Sequence, residues 1–431
     1  MRSSIFNIIE TIGDGILLYN TNSNGILKLN KEYEEKYNEF LQSGKLDDEA
    51  FKSALLKGNM VIDENSGDEI DTIFLENKMA RFGGNDIGLT VAPTMACNFR
   101  CPYCYEKGKE YVTMNRETVN KVKKYFNNLK ERYRHVAITW YGGEPLLAFP
   151  IIEELMESIY EKFERKYVAV SVVTNGYLLT ENVARKMKKL NISSIQITID
   201  GPPEIHNKRR RLPSGEDTFF VILENMKKAL EIYPELKISI RVNIDKDNID
   251  GVDKIIQYLE EYDLIHKTHL YLAPVTNINE TCTEGSCFST REFAIEELDF
   301  LKRNHKKGYS FISLPVRNTS MCGAVSAHSY IIDARGDLYK CWDDVSNLNE
   351  KVGSLYDEHS PVNANMVKWL SHTIENDVEC RNCKYLPVCM GGCPNYWIKN
   401  KKKNCVSIKE NANQFVRLIY DVEKKRKEAS V

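Results

Sequence analysis

A chain of 431 residues is too long for one ordinary domain, and its 12 cysteines at tight spacings read as metal ligands rather than as the staples of a small secreted fold. Apolar and charged shares of 42% and 28% are those of a globular protein, and a formal charge of −2 excludes the basic footprint of a nucleic-acid binder. No run approaches the roughly 18 apolar residues of a membrane helix, and residues 1–10 lack the basic-then-apolar layout of a secretory signal, so no membrane partner and a cytoplasmic location are expected.

In chain order, Ile16–Tyr19 and Ile26–Leu29 flank a turn-rich stretch and predict a β-hairpin. Lys31–Leu41, Asp47–Leu56 and Asp68–Arg81 predict helices and Asn59–Asp63 an extended segment, so residues 1–85 are expected to form a small α+β domain. Across residues 86–310, β-rich runs at Leu89–Ala92, Val136–Trp140, Val168–Thr174, Ser194–Ile199, Ile238–Asn243 and His269–Ala273 alternate with amphipathic stretches. The latter lie near Glu117–Glu131, Ile151–Arg165, Glu181–Leu190, Phe219–Tyr233 and Asp253–Tyr262. Six such units predict an α/β fold, a partial (β/α)6 TIM-like barrel with function at the C-terminal ends of its strands. The capping box Ser289-x-x-Glu292 starts a further helix reaching about His305. Residues 311–431 are dominated by turns and cysteines, and the basic run 399–403 reads as a solvated loop.

Directly after the first barrel strand comes Cys97-Asn98-Phe99-Arg100-Cys101-Pro102-Tyr103-Cys104. Three thiolates this close can wrap an iron–sulfur cluster and leave one iron without a protein ligand. Zinc would want a fourth ligand, and the next residues, Tyr105-Glu106-Lys107, offer only a carboxylate. The second strand runs into Gly142-Gly143-Glu144-Pro145, where glycines permit close backbone approach and Glu144 offers a carboxylate to an ammonium; a plain turn is the alternative. The third ends in Thr174-Asn175-Gly176, suited to hydroxyl groups or to an ordinary turn. Asp200, His206 and Arg210 follow the fourth strand, and Arg241 and Asn243 lie in the fifth, where an arginine needs an anionic partner or an exposed face.

The Cys97, Cys101, Cys104 spacing, with Tyr103 before the last cysteine, resembles the signature loop of the radical S-adenosylmethionine (SAM) superfamily. The resemblance implies that these thiols hold a [4Fe–4S] cluster that chelates SAM and that Tyr103 sits beside the adenine. It implies further that Gly142, Gly143 and Glu144 contact the SAM amino group, that Thr174 and Asn175 lie along the cofactor, and that Arg241 meets its carboxylate. Electron transfer into SAM would release a 5′-deoxyadenosyl radical that abstracts a substrate hydrogen.

The last zone reads Cys322-x13-Gly336-x4-Cys341, then Cys380-x2-Cys383-x5-Cys389-x3-Cys393, then Cys405. Such ordered spacing demands metal. It is similar to the SPASM domain of peptide maturases and anaerobic sulfatase maturases. That resemblance implies two auxiliary [4Fe–4S] clusters, one held by Cys380, Cys383, Cys389 and Cys405 and one by Cys322, Cys341 and Cys393. The second set lacks a fourth ligand: Cys282 or Cys287 swings in, or the iron is open to a substrate thiolate, or the two cysteines are free loop thiols.

Sulfatase maturases carry an aspartate right after the cysteine matched by Cys341, where this chain has Trp342 followed by Asp343 and Asp344, and they lack so long a region before the first motif. Peptide maturases often carry such a region as a leader-peptide binder working by strand addition. The expected activity is therefore thioether cross-linking of a ribosomally made precursor peptide, with a ferredoxin or flavodoxin as electron donor. A formylglycine-generating sulfatase maturase, a non-catalytic iron–sulfur electron carrier and a zinc-binding module are the alternatives.

Overall fold

The computed structural model describes residues 1–104, 106, 108–276, 282, 285–357 and 362–429. They form two compact units: Met1–Gly83, Ser289–Ser326 and His372–Val431 in the first, Gly84–Phe288 and Ala327–Ser371 in the second.

In the first unit, β1 (Arg2–Ser3) pairs antiparallel with β5 (Val61–Ile62), and β2 (Asn7–Ile12), β3 (Gly15–Asn20) and β4 (Ile26–Asn30) form an antiparallel sheet. The hairpin expected from the sequence is thus β3–β4, with β2 added on its other side. Helices α1 (Lys31–Ser43), α2 (Glu49–Lys57) and α3 (Glu69–Phe82) start where Asn30, Asp48 and Asp68 accept backbone N–H groups, the side-chain capping that ends an extended segment and opens a helix. One face of the sheet packs Ile16, Leu18 and Leu29 on Tyr37, Phe40, Phe51 and Leu55. The other packs Ile8, Leu17 and Tyr19 on Ala412, Val416 and Ile419 of the long C-terminal helix Ile408–Ala429. Strand alternation supplies both faces at once.

In the second unit, β6 (Asp86–Thr94), β7 (His135–Gly142), β8 (Val168–Thr174), β9 (Ser194–Thr198), β10 (Lys237–Ile244) and β11 (Thr268–Pro274) are successive parallel neighbours. They alternate with α4 (Arg116–Leu129), α5 (Phe149–Tyr160), α6 (Glu181–Lys189), α7 (Pro203–Arg209), α8 (Phe219–Ile232) and α9 (Val252–Glu261). This is the expected partial barrel. One strand phase, including Val136, Ile138, Trp140, Val170, Val172, Ile238 and Ile240, is buried. The other, with Thr139, Tyr141, Ser171, Gln196, Arg241 and Asn243, is half-buried and mostly polar, which gives the barrel a lining able to hold a ligand. Helix α5 stops at Tyr160 although the apolar spacing runs on through Phe163, which packs as a buried turn residue.

The parallel sheet does not end at β6. Ser329–Ile332 (β12) adds beside it in parallel, followed antiparallel by β13 (Asp337–Tyr339) and β14 (Gly353–Ser354). The capping box of Ser289 and Glu292 is formed and opens α10 (Thr290–Lys306) in the first unit. No helix among the described residues is long and apolar enough to cross a membrane.

Candidate active site and thiol cradles

The loop that follows β6 is tied down on both flanks. On one, Met95 N–H donates to Val112 O at 2.7 Å and Thr94 Oγ1 meets Thr113 Oγ1 at 2.7 Å. On the other, Arg100 donates its backbone N–H to Arg211 O at 2.9 Å and its guanidinium to Cys97 O and Phe99 O, each at 2.8 Å. Cys97, Cys101 and Cys104 are unbonded, half-buried thiols on this loop. Burial pushes the Cys97 thiol up to about 12, with Glu144 and Cys101 adding to it, and pushes Cys101 up to about 11; Cys104 is raised by burial too. Three neighbouring half-buried thiols, each held protonated by its surroundings, give up their protons to a strongly cationic centre, so the donor set suits an iron–sulfur cluster. Tyr105 and Lys107 lie outside the described residues.

Gly142 and Gly143 bring the end of β7 against this loop. Gly143 N–H donates to Thr94 O at 3.2 Å and Glu144 N–H to Ala96 O at 2.9 Å. A Cβ on Gly143 would stand 2.6 Å from Met95 O and closer still to Ala96 O, so only glycine fits there. Glu144 is fully buried. Its Oε1 accepts from Thr174 Oγ1 at 2.7 Å and Leu146 N–H at 3.0 Å, and its Oε2 from Asn175 N–H at 2.7 Å. Burial raises its pKa against the pull of these donors. All three of these partners are uncharged donors among the described residues, which leaves a buried carboxylate suited to an ammonium. Asn175 Nδ2 donates in turn to Asn98 Oδ1 on the cysteine loop at 2.8 Å. Glu144, Thr174 and Asn175, predicted separately, are therefore one hydrogen-bonded group.

Tyr103 turns its hydroxyl inward, donating to Asp200 and accepting from Arg210 Nη1 at 2.8 Å. Arg241 donates through Nε to Asn243 Oδ1 at 2.7 Å, and Asn243 N–H reaches Asp200 Oδ1 at 3.3 Å. The anionic partner that an arginine in a strand needs is thus approached through an amide. Arg209, Asp245 and Asn248, which sequence reasoning missed, complete the surroundings of Asp200: Arg209 pairs with Asp245 at 2.8 Å, and Asn248 Nδ2 donates to Asp200 O at 2.7 Å. The run Arg209-Arg210-Arg211 was the one available signal.

In the first unit, Cys380, Cys383, Cys389 and Cys405 line a single small cavity together with Tyr385, Leu386, Lys403 and Lys409. Lys409 Nζ lies 3.9 Å from Cys405 Sγ, and Lys403 is held by Asp377 at 2.6 Å and Glu379 at 2.7 Å. Burial pushes the Cys380 thiol up to about 12 and raises Cys389. Four thiols and two ammonium groups around one cavity suit an anionic, fully cysteine-ligated cluster. Lys403, read from the sequence as part of a solvated loop, is instead a mostly buried member of this wall, drawn in by two carboxylates. Among the described residues, no three Cys, His, Asp or Glu side chains converge on a single ion position.

Cys322 and Cys393 are exposed thiols of the first unit. Cys341 is a buried thiol of the second, and its Sγ donates to Asp343 Oδ2 at 3.7 Å. Cys282 and Cys287, five positions apart in sequence, are bonded to each other with Cα atoms 5.8 Å apart, neither free loop thiols nor a cluster ligand.

A partial parallel barrel with a three-thiol loop at its C-terminal rim, beside a buried carboxylate, defines a radical SAM enzyme. Residues 91–259 match the Radical SAM superfamily, so the chain carries a radical SAM domain, and that family implies one [4Fe–4S] cluster and SAM. Over 338 residues the chain is 26% identical to a cysteine-type anaerobic sulfatase-maturating enzyme of Clostridium perfringens, covering 71% of this chain and 88% of that one. Native anSMEcpe with bound AdoMet and Cp18Cys peptide shares the fold with a TM-score of 0.61 at 22% identity, covering 79% of this chain and 99% of the other. Streptococcus suis SuiB bound to precursor peptide SuiA does so at 0.56 and 13% identity, covering 93% and 97%.

Proposed function

We propose that this protein is a radical SAM peptide maturase that joins a cysteine sulfur to a carbon of a ribosomally made precursor peptide. The observation that carries the reading is the assembly of Glu144, Thr174 and Asn175 behind the loop of Cys97, Cys101 and Cys104, because an electron carrier or a zinc module needs no buried ammonium acceptor beside its thiols. Cys97, Cys101 and Cys104 would hold the catalytic cluster. When bound there, cluster and SAM supply the reductive cleavage that yields a 5′-deoxyadenosyl radical. Glu144 fixes the amino end of SAM, Tyr103 borders its adenine, Arg241 serves its carboxylate, and the half-buried barrel lining orients the peptide. Cys380, Cys383, Cys389 and Cys405 would hold one auxiliary cluster, and Cys322, Cys341 and Cys393 a second.

Thioether formation removes one hydrogen from sulfur and one from carbon, a two-electron oxidation of the peptide. SAM cleavage would account for one hydrogen atom, the other would leave as a proton and an electron, and clusters held by the C-terminal cysteines would supply the acceptor for that electron. Support for a peptide substrate comes from both solved relatives, anSMEcpe with bound Cp18Cys peptide and SuiB bound to precursor peptide SuiA. Likeness to the SuiB fold extends to 93% of this chain, against 79% for anSMEcpe, and residues 1–85 are assigned here as the leader-binding part. Residues 86–310 are assigned as the catalytic barrel and 311–431 as the auxiliary-cluster region. A sulfatase-maturase activity is the second reading, favoured by the 88% coverage of the Clostridium enzyme and opposed by Trp342 directly after Cys341.

The test is anaerobic incubation of the reconstituted protein with SAM, dithionite and candidate cysteine-rich peptides encoded beside its gene. Wild type should release 5′-deoxyadenosine, Cys101→Ala none, and the modified peptide should lose a pair of hydrogens and one alkylatable thiol. An intact thiol with an aldehyde at the modified residue would instead support the sulfatase-type reaction.

A further inference from the structure

We infer that Arg209 is a positioning residue of the SAM site, acting through Tyr103; the inference rests on the radical SAM reading above. Arg209 is the last residue of α7, and Arg210 leaves the helix at φ −131° and ψ 57°. The two guanidinium groups therefore reach Tyr103 by different routes. Arg210 Nη1 donates to the hydroxyl at 2.8 Å, whereas the Arg209 guanidinium carbon lies 4.8 Å from the centroid of the ring. Arg209 also joins two buried carboxylates from different strand ends: Nη1 pairs with Asp245 Oδ2 at 2.8 Å, and Nε stands 3.6 Å from Asp200 Oδ2. Asp200 in turn accepts the Tyr103 hydroxyl.

The side chains of Arg209, Asp200 and Asp245 are only 13%, 0% and 8% exposed, so the charges are poorly screened and the geometry is stiff. A guanidinium stacked on one face of an aromatic ring adds a cation–π attraction that a lysine ammonium provides without the planar overlap. The ring that borders the adenine is thus fixed twice, at its hydroxyl by Asp200 and Arg210 and at one face by Arg209. Remaining Arg209 capacity is not consumed by the protein, since Nη2 has no hydrogen-bond partner among the described residues.

The experiment is a double-mutant cycle on SAM affinity between Arg209→Lys and Tyr103→Leu in reconstituted holoenzyme. SAM binding is measured anaerobically, together with the SAM-induced change in the electron paramagnetic resonance of the reduced cluster. Arg209→Lys should weaken SAM binding about tenfold, the scale of a desolvated cation–π contact, and shrink the spectral change at unchanged iron content. The double variant should bind SAM no worse than Tyr103→Leu alone, because the two residues act as one unit. Additive losses, or wild-type affinity in Arg209→Lys, would overturn the inference. The paired Arg209→Gln, Asp245→Asn variant removes one buried charge of each sign and carries the same expectation should the lysine variant fold poorly. A wild-type protein with an intact cluster and no SAM-induced change would remove the radical SAM reading itself.

Discussion

Glu144, just past the end of β7, accepts the hydroxyl of Thr174, at the end of β8, at 2.7 Å, and this bond joins two neighbouring strand ends beside the loop of Cys97, Cys101 and Cys104. The carboxylate is fully buried and already takes three donors, so the geometry waiting for an ammonium is built before any ligand arrives. Glu144→Gln removes the charge and turns an amide NH2 toward donors that need an acceptor. SAM affinity is expected to fall by about 10- to 100-fold, corresponding to the roughly 1.5–3 kcal/mol of a charged hydrogen bond. Thr174→Val should cost less, about fivefold, because one neutral donor is lost and the charge remains. Anaerobic equilibrium dialysis of SAM on both variants checks the order, and equal losses would contradict it.

The sequence showed the barrel and its loop because each of its signals is local. Parallel strands buried in one phase, helices between them and three cysteines within eight positions need no distant partner to be read. What stayed hidden depends on long-range pairing. Arg209 meets Asp245 from 36 positions away, and β12 docks on β6 from more than 200 positions away with only four residues of strand to announce it. The strand Asn7–Ile12 puts the charged Glu10 on the same face as the packed Ile8, so its apolar alternation is weak; Glu10 is buried through its ion pair with Arg417 near the C-terminus. The cysteine pair 282 and 287 carried no spacing signal that separates a disulfide from a ligand.

Gly392 couples the backbone around the four-thiol cavity. It sits at φ +78° and bridges to Asn404, the residue before Cys405, and a Cβ there would overlap the Asn404 carbonyl oxygen. Gly392→Ala must therefore both strain the backbone and push the Cys405 segment away from Cys389. Iron and sulfide analysis should show a loss of about four irons, one cluster's worth. SAM cleavage without peptide should persist, because the cysteine loop after β6 belongs to the other unit. Full iron content in Gly392→Ala would mean the cavity tolerates the displacement.

Arg81 ties α3 to the late segments of its own unit. It is 3% exposed, and its guanidinium donates to Val325 O at 3.0 Å and to His372 O at 2.8 Å. Asn77, one turn earlier, donates to Thr319 O at 2.8 Å. Arg81→Met keeps the volume and leaves those carbonyls without their charged donor, so the unit should lose about 2–4 kcal/mol of stability. Hydrogen exchange resolved by peptide is the suitable measurement. Faster exchange in α3 and the Ile408–Ala429 helix, with the barrel strands unchanged, is the expected pattern, and uniform protection throughout would refute the cost.

Asp333, in the turn between β12 and β13, makes stability depend on pH. Burial raises its carboxyl to about 6, only partly offset by the N–H groups of Asp337 and Arg335, whereas an aspartate in an unfolded chain titrates near about 4. Between those values the folded protein holds a proton that the unfolded chain has released, so stability falls as pH rises through the window. Above it the carboxylate is charged in both states and the cost is complete, on the order of 3 kcal/mol for a shift of about two units. Asp333→Asn keeps an oxygen for the N–H groups of Arg335 and Asp337, each donating at 2.9 Å, and removes the charge. Relative to wild type, the variant should gain stability steadily from about pH 4 to 6 and hold that gain above it. Paired denaturation curves under anaerobic conditions measure the difference directly; a wild-type-to-variant gap that does not change across the window would show that the turn carboxyl is ionised throughout.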